Sequence, residues 1–341
     1  MTDRFTIRLT RLPAPGPRRR TAEGREPSAE SILKTLAVVG AAVLAVALFP
    51  SDAWAWTPGT HIFLGEAVMR SLDLLPVPVA ELIRAFPYDF LYGSIAADTS
   101  IAKKYVPVGR HCHAWHVGLE IHERARDEPL RAFGLGYLAH LAADVVAHNF
   151  FVPRQLAITT SSAALGHSWW ESRFETHLGE RYARRAREVI LLDHARSDEH
   201  LDRILSPTIF STPTNRRLFR GMVYVTDSES WQRVFQLVKE HSRWDLPDAD
   251  AGRYMERAFD YVMDFLTRVD RSEPYALDPN GHEPLRLSKR LRRAALRKGG
   301  EDVLLEEAER HFGLPPTRLE YSRVAASAGA ALYPFTRAAS N

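Results

Sequence analysis

Cysteine is almost missing from this chain: Cys112 is the only one in 341 residues. A disulfide framework is therefore excluded, and an exported form would have to rely on its core or on bound metal for stability. The glycine fingerprints of dinucleotide folds and of phosphate-binding loops are absent, as are internal repeats and any βαβ pattern. Strand-like alternation of apolar and polar residues is nearly absent after Ile62. The run at residues 36–49 has fourteen apolar or small residues, too few to cross a bilayer comfortably. It follows a basic stretch (Arg18, Arg19, Arg20, Arg25, Lys34) and leads to Ala53-Trp54-Ala55, a small-x-small ending. That order describes a secretory signal over residues 1–55, cleaved after Ala55, and predicts a secreted or periplasmic protein; an uncleaved anchor is the other reading. An excess of positive charge is also lacking once this segment is set aside. It holds eight of the 45 Lys and Arg and five of the 42 Asp and Glu, so 37 of each sign follow. Nothing then favours a sequence-independent grip on nucleic acid, which is not an expected partner.

What is present is a core-forming composition, 45% hydrophobic, and apolar residues recurring at three and four. The clearest helical patterns are at 130–151, 169–189, 231–241 and 254–269, the last with Tyr254, Ala258, Tyr261, Phe265 and Val269 on one stripe. Proline and glycine fall mostly between such segments. The reading is an all-α, multi-helix bundle over residues 56–271. A C-terminal extension, 272–341, is partly helical and basic. Within it, residues 286–298 hold seven Lys or Arg and no acid, interleaved with Leu287, Leu291 and Leu296. This is either a solvated terminal helix or an amphipathic surface for peripheral contact with an anionic membrane.

Nine of the fourteen histidines lie between His61 and His177. In "GYLAHLAADVVAHNFF", His140, Asp144 and His148 are four apart, so on a helix each is turned only about 40° from the last. His167 and Glu171 repeat the step in "GHSWWESRFE". Leu138, Leu141, Val145, Val146, Phe150 and Phe151 surround the first set, and burying imidazoles and a carboxylate among them without partners would cost several kcal/mol. A metal removes that cost, and imidazole nitrogen with carboxylate oxygen is a donor set that catalytic zinc accepts. Asp98 ends the small-residue run "YGSIAAD" and can ligate metal or accept a proton. "RHCHAWH" adds His111, Cys112, His113 and His116, with a Cys112 thiolate as a lesser ligand candidate.

The ordered set of a tryptophan after the signal, His, Asp, His, H-x3-D followed by His, then H-x3-E resembles the zinc-dependent phospholipase C family and its wider phospholipase C/D superfamily over roughly residues 56–180. The resemblance implies a helical bundle with three zinc ions and a phospholipid substrate. It implies that the free amine and carbonyl of Trp56, with His61, hold one zinc. Asp144 would bridge this to a second zinc, also held by Asp98, His140 and one histidine of the cluster, His113 or else His111. His148, His167 and Glu171 would hold the third.

Three residues, not five, separate Asp144 from His148, as in the phospholipase domain of the glycosylphosphatidylinositol-specific phospholipases D. The Trp-x4-His start is similar to the single-strand-specific zinc nucleases, and Glu171 to the phospholipases. Gly59 and Thr99 stand where choline-binding members have glutamate and tyrosine, so a choline preference is not expected. The expected reaction is metal-assisted phosphodiester hydrolysis, with Asp98 the candidate for orienting or deprotonating water. Phe150, Phe151, Trp169 and Trp170 are candidates to meet acyl chains or bases, or core residues of the bundle. A single-strand nuclease or 3'-nucleotidase, and a metal-binding protein without turnover, are the alternative functions.

Overall fold

A computed structural model describes residues 56–329 apart from 102, 160–162, 243 and 299. The expected signal and its cleavage site lie outside the described residues. Among the described residues there are helices and no strands.

The central element is α5, Glu128–Val146. Asp127 caps its start by accepting a hydrogen bond from the Leu130 amide (3.0 Å), and Pro129 sits in the first turn, where its missing N–H costs nothing. From Ala132 to Val146 every residue is buried, with no exposed face at all. Such a helix must be enclosed by others. Together with the segment to Thr159 it is long and apolar enough to cross a membrane, but 94% of its apolar window is buried inside the domain, as for a core helix. The helix continues through a π turn, Ala147–Phe151, into α6, Val152–Thr159. A wider turn advances each residue less around the axis, so His148 leaves the stripe that ideal α geometry would share with His140 and Asp144.

Around α5 lie α1 (Pro58–Arg70), α2 (Val77–Ala85), α3 (Pro87–Ala96), α4 (Trp115–Glu123) and the long α12 (Asp248–Arg268). The closest approach is α3 to α5 at Gly93 and Gly136, where a Cβ on either would fall 2.0–2.1 Å from a carbonyl oxygen of the opposite helix. Tyr254, Ala258, Tyr261 and Phe265 are buried as their stripe predicts. Val269 is not: it lies just past the helix with φ 51° and is exposed.

The pattern at 169–189 is two helices, α7 (Ala163–Glu175) and α8 (Glu180–Ile190). Gly179 breaks it with φ +79°, a conformation that glycine adopts without steric cost. Helices α9 (Ala195–Asp202), α10 (Thr212–Thr226) and α11 (Glu229–Glu240) follow before α12. Beyond residue 271, α13 (His282–Lys298) and α14 (Glu301–Phe312) pack on α6, and α15 (Tyr321–Ser327) on α12. Leu287 and Leu291 pack against Ala157, Ala308 and Phe312, so the leucine side of the basic helix is used inside the fold, while Arg286 and Arg290 face outward.

Candidate metal centre

The polar residues on α5 are completely buried, and the neighbouring elements bring matching groups to them. Asp144 is central. Its Oδ1 lies 3.2 Å from His61 Nε2 on α1, and its Oδ2 lies 3.0 Å from His113 Nε2 and 3.1 Å from His140 Nε2. Asp98, at the end of α3, places Oδ1 3.4 Å from His113 Nε2 and 4.0 Å from His140 Nε2. A further group joins His148 of the π turn to His167 and Glu171 of α7, the last two at 2.6 Å. His61, His140 and Asp144 form one set of converging donor atoms, and Asp98, His113 and His140 a second.

Whether a metal fits can be judged from the unsatisfied atoms. Both Asp144 oxygens, Asp98 Oδ2, His61 Nε2 and Glu171 Oε1 are buried with no hydrogen-bond partner. Their neighbours are close but aimed at a common point rather than at one another. Two atoms each about 2.0–2.1 Å from one tetrahedral zinc lie about 3.3 Å apart; the Asp144 contacts here are 3.0–3.2 Å, with Asp98 to His113 at 3.4 Å and His167 to Glu171 shorter at 2.6 Å. Unsatisfied buried groups of this kind each cost roughly 1–3 kcal/mol or more, and one cation would satisfy several together. The residues fit zinc.

Support for the ligands is also in place. His140 Nδ1 donates to the Ser94 carbonyl (2.9 Å), and His148 Nδ1 to the Pro279 carbonyl (2.5 Å). Each bond fixes the tautomer whose basic nitrogen is Nε2. Burial, reinforced by His140, lowers His61 to about 4, so that it is neutral, as a ligand must be. Burial alone would raise Asp144, but the surrounding imidazoles outweigh it and hold its carboxyl well below the usual range. Glu171 goes the other way: burial first, then the Asp98 and Asp144 charges, push it well above the usual range. A cation is what would return it to a carboxylate.

Trp56 is fully buried, its Nε1 donating to the Ala143 carbonyl (3.1 Å) and its ring against Phe151 and Phe174. This ties residue 56 to the residue preceding Asp144. His111 accepts from the His113 amide (3.1 Å), and burial pushes its pKa down to about 2. His116 is at the surface beside the Gly109 carbonyl. Of the cluster histidines, His113 alone reaches both Asp98 and Asp144. Cys112 Sγ lies 3.3 Å from His113 Nδ1 and touches the site through that ring. Trp170 and Phe151 are core residues, the former donating to Thr159 Oγ1, and Trp169 packs on Phe235.

Sequence reasoning missed Lys103. This fully enclosed ammonium lies 2.9 Å from Asp98 Oδ1 and 3.3 Å from both ring nitrogens of His113. Equal distances mean that it does not sit on either nitrogen's lone pair. Burial works against its charge, but Asp98, Cys112 and Asp144 more than offset it. Burial likewise opposes the charge of Asp98, and Lys103, His140 and His113 overcome it, holding that carboxyl well below the usual range. A lysine pair in a loop reads as surface, and nothing in the sequence signalled otherwise.

Position 59 offers a second surprise, since a Cβ there would meet Glu175 Oε1 at 1.9 Å. Glu175 fills that space, and burial, against a hydrogen bond from Thr57, raises it to about 7. Between its unfolded value near 4.5 and about 7, the folded chain holds a proton that the unfolded chain has released, so this group's stability contribution falls as pH rises through that window. Glu175→Gln should therefore be nearly neutral at pH 4 and stabilise metal-free protein by roughly 1–3 kcal/mol at pH 8. Thermal melts of both proteins at the two pH values check this; an equal effect at both would contradict the assignment.

The fold and site together define an all-helical protein with buried imidazole–carboxylate clusters that could hold divalent metal. Residues 60–213 match the family model described as zinc dependent phospholipase C. The match takes in every expected ligand from His61 to Glu171 and leaves out Trp56 and the extension. No curated protein and no solved structure matched the chain.

Proposed function

We propose that the protein is an exported, three-zinc phosphodiesterase that hydrolyses phospholipid or a lipid-linked phosphodiester by phospholipase C-type or D-type cleavage. The observation that carries this is Asp144: a buried carboxylate with imidazoles within 3.2 Å on both oxygens and no hydrogen bond to either. In this reading His61 with the amine and carbonyl of Trp56 would hold one metal, His113, His140 and Asp98 would hold a second, and Asp144 would serve both. His148, His167 and Glu171 hold the third. Bound zinc supplies a nucleophilic water near neutral pH and offsets charge on the phosphodiester.

The protein's own groups have separable tasks. Asp98 is too weak a base, given its depressed pKa, to take a proton efficiently; with Lys103 on Oδ1, it orients water through Oδ2. Lys103 keeps a fixed positive charge beside the cluster and holds Asp98 as a carboxylate. Gly59 supplies no charge, Glu175 fills its space as a group neutral below about pH 7, and the Thr99 hydroxyl is occupied by the Ala96 carbonyl (2.7 Å). Choline should therefore be preferred over other head groups by less than about tenfold, a difference of 1.4 kcal/mol.

Elemental analysis of the exported protein, its intact mass, and a phospholipid panel with product identification test the proposal together. A chain starting at Trp56, three zinc ions per chain, and release of diacylglycerol or phosphatidate are expected. Digestion of single-stranded DNA without lipid turnover would replace it with a nuclease. A zinc-replete protein inert on both would leave metal binding without catalysis.

A further inference from the structure

The imidazoles of His140 and His148 are each oriented by a backbone carbonyl, but the two carbonyls have different origins. Ser94, which serves His140, lies within the family-matched segment; Pro279, which serves His148, lies 131 residues further along the chain and outside that segment. Pro279 belongs to a short loop, 277–281, leading into α13, and the loop is fastened across the centre at several points. Trp115 Nε1 donates to the Leu277 carbonyl (2.8 Å), Asn149 Nδ2 to the Asp278 carbonyl (2.8 Å) and Asn280 Nδ2 to the His113 carbonyl (3.4 Å). Asp278 shapes the loop itself, accepting from the Asn280 amide (3.0 Å) and the His282 amide (3.3 Å). Gly281 makes the approach feasible: its φ is +57°, and a Cβ there would lie 2.3 Å from the His148 carbonyl oxygen and 2.6 Å from His148 Cβ.

We propose that loop 277–281 of the C-terminal extension is a positioning strap that fixes the tautomer and orientation of His148 and thereby completes the His148–His167–Glu171 metal site. The inference rests on the metal reading above. His148 lies in the π turn rather than in the regular α-helix that carries His140 and Asp144, and its Nδ1 is held by the strap at Pro279. Removing an outer partner of a metal-bound histidine commonly lowers metal affinity 10–100-fold, and the same loss is expected here at one site.

The test is zinc titration of the full exported chain against a competing chelator, with the absorption spectrum of the cobalt-substituted protein as a second readout. Gly281→Ala pushes the strap off His148, and Asp278→Ala loosens it without adding atoms, so one variant remains informative should the other not fold. Pro279→Ala keeps the carbonyl and serves as the control. Expected are a 10–100-fold weaker affinity for one zinc equivalent in the first two variants, an altered cobalt spectrum, and a change under threefold in the control. Unchanged zinc affinities and cobalt spectrum in a folded Gly281→Ala or Asp278→Ala protein, with all three wild-type sites filled, would overturn the strap and leave the metal reading standing. No zinc binding by the wild type would overturn both.

Discussion

Asp144→Asn is expected to remove at least one zinc equivalent, lower kcat/KM by at least about a hundredfold and abolish stabilisation by added zinc. Asparagine has nearly the same shape, so packing around α5 is preserved and the loss isolates charge and ligation. The carboxylate lies within 3.2 Å of His61, His113 and His140 at once, and its replacement by an amide leaves those imidazoles with a poor common partner. Losing an outer hydrogen-bond partner of a ligand already costs 10–100-fold; losing a ligand shared by two ions should cost more. A wild-type protein in zinc at a thousand times Kd gains about 4 kcal/mol over its metal-free form, and the variant should gain little of this. Elemental analysis and melts with and without zinc decide it. Full zinc content in the variant would exclude the bridging assignment.

Gly136→Ala should be the most damaging single-methyl change in the core. The added carbon would lie 2.0 Å from the Phe90 carbonyl oxygen and 2.9 Å from the Ser94 amide nitrogen, backbone atoms with no rotamer to yield. Alanine would gain about 1 kcal/mol in helix propensity, but separating α3 from α5 should exceed the usual 1–3 kcal/mol of overpacking. A net loss of about 2 kcal/mol or more is expected, a fall in Tm of roughly 4–8 °C. The same movement draws the Ser94 carbonyl from His140 Nδ1 and Asp98 from His113, so zinc affinity should fall with stability. Gly221→Ala on α10 is the control, because nothing lies within 4 Å of its added carbon; it should be neutral or stabilise by up to about 1 kcal/mol. Equal melting temperatures for the two variants would contradict this account of the helix contact.

The residues that could be read from the sequence were those whose meaning is local. His140-x3-Asp144 and His167-x3-Glu171 follow from helical geometry and apolar neighbours, and the structure brings each pair together as that geometry requires. Two local features were not readable. Nothing in "VVAHNFF" marks the π turn, and Gly179 alone, without proline, did not distinguish a tolerated glycine from a helix break. The remainder depends on distant contacts. Pro279 reaches His148 through a loop far along the chain, Glu175 fills the side-chain space of Gly59, and Lys103 turns inward from a loop because Asp98 is there to receive it. Composition assigned the C-terminal residues only charge and helicity, whereas their leucines pack on α6 and the loop at 277–281 reaches His148, a candidate ligand.

Anomalous diffraction at the zinc edge from crystals of protein beginning at Trp56 tests the central claim most directly. Three peaks are predicted: one between Trp56, His61 and Asp144, one among Asp98, His113, His140 and Asp144, and one among His148, His167 and Glu171. Ligand bonds should be about 2.0–2.2 Å. Density showing these side chains paired only with one another, and no anomalous peak among them in a zinc-saturated crystal, would contradict it.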